Sequence, residues 1–148
     1  MPSAAAPAAA RVQSFLAFDF GTKRVGVAVG NSLTGSARPL AAVAAQGEVR
    51  LAAIARLVDA WQPDALVVGV PRHPDGAEHD NTRRARAFGR RLHARFALPV
   101  HEVDERYTTV EARTAGAADL DAAAAALILE QFLRAPGNAR RPSDHAAA

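Results

Sequence analysis

The chain has 148 residues, enough for one domain with its own core, and no cysteine, which excludes disulfides, thiolate metal sites and a cysteine nucleophile. No apolar run reaches the ~20 residues of a membrane span, and the Ala/Pro-rich start lacks the basic and apolar regions of a secretory signal, so a cytoplasmic protein with no membrane contact is expected. The net charge of +3 rests on arginine, because Lys23 is the sole lysine, and a planar guanidinium suits phosphate.

Residues 1–12 read as a disordered tail, 13–134 as the domain, and 135–148, with Pro136, Gly137 and Pro142, as a second tail. Phe15 to Phe20 is a short apolar strand, and the turn-rich Gly21-Thr22-Lys23-Arg24 leads to a second at Val25 to Val29. Ala37 to Val43 makes a third. Leu51, Ile54, Leu57, Val58 and Trp61 recur at helical spacing until Pro63 stops them. Ala65 to Val70 is a continuous apolar run, as in a parallel strand buried on both faces. Asp75-Gly76 marks a turn, and Asp80 or Asn81 caps a helix with its apolar stripe at Ala85, Phe88, Leu92 and Phe96. Pro99 to Val103 is a fifth strand, Thr108 and Glu111 form a capping box, and a last helix starts near Asp119 and runs to about Arg134. Three meandering strands followed by strand–helix alternation predict an α/β protein. Its mixed five-stranded sheet carries three antiparallel strands, then βαβ units, with helices on both faces, in the order of the ribonuclease H-like fold.

Asp19 ends the first strand between Phe18 and Phe20, where a carboxylate is badly solvated unless a cation compensates it. Asp104 and Glu105 directly follow the fifth strand, at the sheet edge where α/β proteins collect ligands. Only one of two adjacent strand residues can face the site, and Asp104 is the first choice, Glu105 the second. In the last helix, Asp121 shares a stripe with Ala124, Ala125, Ile128 and Phe132, whereas Asp119 reads as the cap. Asp19, Asp104 or Glu105, and Asp121 would form an all-oxygen site suited to Mg²⁺ or Mn²⁺. Two such ions support in-line phosphodiester hydrolysis without a general-base side chain.

Arg83, Arg84, Arg86, Arg90, Arg91 and Arg95, with His93, follow one another on the fourth-to-fifth strand crossover without an intervening acid, which favours a polyanion. Lys23, Arg24, Arg38 and Arg72 are expected on loops lining the same groove. The scarcity of aromatics argues against a base-stacking platform. Asp19-Phe20-Gly21 spells a kinase metal motif, but no glycine-rich phosphate loop accompanies it.

Phe18-Asp19-Phe20-Gly21-Thr22-Lys23-Arg24-Val25-Gly26, Val68-Gly69-Val70-Pro71, Asp104-Glu105-Arg106-Tyr107-Thr108-Thr109 and Asp121 with Ile128-Leu129-Glu130 resemble the YqgF family. These bacterial ribonuclease H-like proteins are also called Holliday junction resolvases or pre-16S rRNA nucleases. The resemblance implies catalytic metal binding by Asp19, the acid of Asp104-Glu105, and Asp121. It implies hydrolysis of precursor 16S rRNA near its 5′ end, with branched DNA as the alternative substrate. A non-catalytic nucleic-acid-binding factor is the reading from another class. A monomer or weak homodimer is expected, a stable dimer being the arrangement suited to junction resolution. Thr114 to Leu120 is shorter than the usual family segment before the last aspartate and has no basic residue.

Overall fold

The computed structural model describes residues 12–71, 80–105 and 117–134. Its elements are β1 (Ser14–Asp19), β2 (Val25–Asn31), β3 (Ala37–Val43), α1 (Gly47–Trp61), β4 (Ala65–Pro71), α2 (Asp80–Phe96), β5 (Val100–Glu105) and α3 (Ala117–Arg134). The five strands and three long helices expected from the sequence are all present, their ends shifted by at most two residues. Residues 1–11 of the first tail, the second tail, the Asp75-Gly76 turn, Arg72 and the Thr108–Glu111 capping box lie outside the described residues.

The strands form one sheet in the order β3-β2-β1-β4-β5, with β3-β2-β1 antiparallel and β1-β4-β5 parallel. Strand alternation sends Leu16, Phe18, Val25, Val27, Leu66 and Val68 to one face. There they pack on Leu51 and Ile54 of α1 and on Phe88 and Leu92 of α2. Phe15, Ala17, Ala65, Val67 and Val103 face the other way and meet Ile128, Leu129 and Phe132 of α3. Phe18 and Phe15 each make an edge-on ring contact across their interface, with Phe88 and Phe132.

Both α1 and α2 end on a left-handed residue shortly before a proline: Gln62 (φ 48°) before Pro63, and Ala97 (φ 54°) ahead of Pro99. Their N–H groups donate to Val58 and His93 carbonyls, closing each helix. Trp61 departs from the expected apolar stripe, since this last residue of α1 is 38% exposed. Arg50, near the start of the same helix, is buried. The last helix starts at Ala117, two residues before the expected cap, so Asp119 falls in its first turn.

Candidate active site

Asp19 is the last residue of β1, and its register partners are glycines on both sides: Gly26 on β2 and Gly69 on β4. It alternates in phase with Phe15 and Ala17, so it stands on the α3 face. Gly26 is where α3 lands. A Cβ placed there would lie 1.8 Å from the Asp121 carbonyl oxygen and 2.9 Å from the Ala122 nitrogen. Only a residue without a side chain lets the helix backbone come this close. Asp121 is therefore seated on the cross-strand neighbour of Asp19. Farther along, Ala28 packs on Ala125 and Ala126, and a Cβ at Gly30 would meet Leu129, so small residues carry α3 down the whole of β2.

The end of β5 separates the two remaining acids by face. Asp104 pairs with Val70 and alternates in phase with Glu102, which faces α2 and meets Arg86 there. Position 105 pairs with Pro71 and alternates in phase with Val103, on the α3 face that also carries Asp19. The Asp104 side chain is exposed, and its backbone carbonyl accepts a hydrogen bond from Gln131 Nε2 of α3 at 3.0 Å.

Two arginines hold the β1–β2 turn. The Arg24 Nε donates to Asp121 Oδ2 at 2.6 Å, an ion pair that joins the turn to α3. Arg24, expected to line a phosphate-binding groove, directs its charge at an acid of the site. From below, buried Arg50 donates to the Ala45 carbonyl through Nε (2.6 Å) and to the Thr22 carbonyl through Nη2 (3.0 Å). Its guanidinium lies over Phe20, 5.6 Å from the ring centroid, and burial draws its pKa below the usual arginine value. Lys23 stays exposed between them. Sequence reasoning passed over Arg50 and the two flanking glycines. The glycines were visible as unexpected residues inside apolar strands.

The arginines of α2 are less uniform than their spacing suggests. Arg83 pairs with Asp80, Arg86 Nε lies 3.5 Å from Glu102, and Arg95 Nη2 lies 2.8 Å from Glu48. The Arg95 hydrogen bond holds the Glu48 carboxyl below its ordinary range. The helix lacks internal acids, but other elements and its own first residue supply them. Among the described residues, exposed Arg84 and Arg90 have no carboxylate partner. Thr82, fully buried, donates from Oγ1 to the Pro71 carbonyl at 2.7 Å and so fixes the start of α2 at the edge where Asp19 ends. Arg38 does not join this edge. It lies on β3 rather than on a loop, level with Val29, and its guanidinium covers Trp61.

Among the described residues, no three His, Asp or Glu side chains make a metal-binding group. Asp19 and Asp121 are the two carboxylates of the described set that share the corner, and hard oxygen donors of this kind suit Mg²⁺ or Mn²⁺. Asp121 already engages a cation, the Arg24 guanidinium, which shows that this corner accommodates positive charge.

The sheet order and the aspartate closing its central strand define a ribonuclease H-like α/β protein. Its architecture is similar to that of Thermus thermophilus RuvC solved with a Holliday junction substrate, with a TM-score of 0.51 and 16% identity over 82% of this chain and 93% of that one. The family model for RuvX, described as Holliday junction resolvase, matches residues 13–135, and the chain belongs to that family. A Polaromonas sp. protein named "Putative pre-16S rRNA nuclease" is 64% identical over 125 residues, covering 84% of this chain and 91% of that protein. A protein of the same name from Paraburkholderia phymatum is 53% identical over 132 residues, 84% of this chain and 87% of its own length.

Proposed function

We propose that this chain is a hydrolase that cleaves phosphodiester bonds of RNA, with precursor 16S rRNA as substrate and Mg²⁺ or Mn²⁺ as cofactor, in the cytoplasm. One observation carries the reading. The α3 backbone at Asp121 rests on Gly26, the register partner of Asp19, so two acids from distant parts of the chain meet at one corner of the sheet. The names of the relatives support RNA as the polymer.

Asp19 and Asp121 hold the cation, with Glu105 preferred to Asp104 as the third ligand because alternation sets position 105 on the α3 face. Gly26 lets the α3 backbone close against the β2 flank of Asp19, which keeps Asp121 beside it. Arg50 keeps the turn in place through the Thr22 carbonyl, and Arg24 orients the Asp121 carboxylate. Lys23, Arg84 and Arg90 meet the phosphate backbone, with Arg83 and Arg86 contributing where their own acids release them. A divalent cation bound at the corner supplies a more acidic water and charge neutralisation at the leaving oxygen. Cleavage of branched DNA is the second reading, favoured by the description of the family model.

The test uses purified protein with Mn²⁺ on 5′-extended 16S precursor fragments and, in parallel, on four-way DNA junctions. Cleavage of the RNA, its loss in Asp19→Asn and unchanged RNA affinity of that variant are expected. Cleavage surviving Asp19→Asn at the original rate overturns the assignment, and cutting confined to junctions selects the second reading. Glu105→Gln should abolish cutting, whereas Asp104→Asn should retain most of it.

A further inference from the structure

At the end of the sheet away from Asp19, a cleft of about 370 Å³ opens between the start of β1, the β2–β3 hairpin and the end of α1. One wall carries Trp61, the sole tryptophan of the chain, and Arg38, whose guanidinium lies 5.5 Å from the Trp61 ring centroid. Trp61 is 38% exposed although its helical spacing directs it inward. No acid lines the cleft, and among the described residues no carboxylate pairs with Arg38. The polar rim is already set. Asn31 Oδ1 accepts from the Leu33 and Thr34 amides, and the Ser36 hydroxyl donates to Thr34 Oγ1. The rim groups are thus engaged with one another, which leaves the aromatic ring and the guanidinium as the recognition surfaces.

A half-exposed indole beside a guanidinium with no acid partner is the chemistry that holds an unstacked base and its phosphate. Either plane stacks on any base, and the charge takes the anion. One aromatic is too few for a platform that reads a run of bases, but it is enough for one. We propose that the Trp61–Arg38 cleft is a subsite for a single unstacked nucleotide of single-stranded RNA. It rests on the reading of RNA as substrate and deepens it by naming the strand that flanks the cut. From Ser14 to Asp19 the β1 backbone spans roughly 17 Å, a distance that a short single strand bridges. A strand anchored at Trp61 therefore approaches the acids from a fixed direction. Leu33 and Val12, both exposed, lie toward the same end of the sheet and would suit a protein partner instead. The Arg38 charge, which no carboxylate among the described residues pairs, favours RNA.

Because Trp61 is the only tryptophan, its emission reports on the cleft directly. A short oligoadenylate is titrated in EDTA, so that nothing is cut, while anisotropy of the labelled oligonucleotide records binding independently. Quenching of Trp61 that saturates with the bound fraction is expected, together with weakening by Trp61→Ala of at least about 5-fold. Arg38→Gln should weaken binding and reduce the quench. An abasic oligonucleotide with the same phosphates should bind without quenching. RNA that binds while Trp61 emission stays constant, or an equal quench from the abasic strand, overturns the subsite, leaves the RNA reading standing and returns the cleft to protein contact. Absence of any binding by anisotropy removes the subsite and the RNA reading together.

Discussion

The two faces of the sheet are packed by opposite means. Towards α1 and α2, large side chains such as Phe18, Leu16, Ile54 and Leu92 fill the volume between sheet and helices. Towards the first turns of α3, helix and strand meet backbone to backbone at Gly26, and alanines continue the contact. A core filled by side chains yields when one is trimmed, because neighbours relax into part of the space. A contact made by backbones has nothing to trim and nothing to yield. The face that positions Asp121 is therefore the less forgiving one, although it buries smaller groups.

Substitutions separate these behaviours. Phe18→Ala should cost the most stability, about 3–5 kcal/mol, while cleavage per folded molecule at low temperature stays near that of the parent. Chemical denaturation and activity normalised to folded fraction would check both halves. Gly26→Ala should cost less, about 1–3 kcal/mol, yet lose most of its cleavage because α3 must lift and take Asp121 with it. Equal loss of activity in the two variants would erase the distinction between the faces. Replacing Arg84 and Arg90 with alanine should leave stability unchanged and lower the salt slope of RNA binding by about 0.7 per lost contact, as read from affinities across a salt series.

The smallest effect is expected at Glu48. Its carboxyl is held below its ordinary value near 4.5, chiefly by the Arg95 hydrogen bond. A depressed folded pKa contributes stability that is complete above the unfolded value and lost as pH falls through the folded one. Glu48→Gln should therefore flatten only the acid limb of a stability-versus-pH curve. The pair is exposed, so high salt should do the same to the parent.

The five strands, the three long helices and the mixed sheet were legible because strand alternation, proline stops and helical spacing are local signals. The stripe through Asp121, Ala125, Ile128 and Phe132 pointed that aspartate at the sheet, and α3 packs that way. Facing was harder. Whether position 104 or 105 joins Asp19 depends on the register of β5 against β4, which no local pattern of Val-Asp-Glu encodes. Partners were harder still. Arg86 meets Glu102, and Arg95 meets Glu48 across another helix, so a run of arginines read alone overstated the charge left for a ligand. Trp61 was misplaced for a related reason: spacing continues to the last helical residue, but the left-handed turn at Gln62 opens the rim beside it.

The exposed position of Lys23 gives the molecule a built-in chemical handle. Apart from any terminal amine, the side chain in the turn after Asp19 is the sole primary amine of the sequence, and it stands in solvent. A single acylating reagent should therefore mark the mouth of the acidic corner and leave the arginine-rich remainder untouched. The rate of that labelling becomes a footprint of whatever polymer occupies the corner.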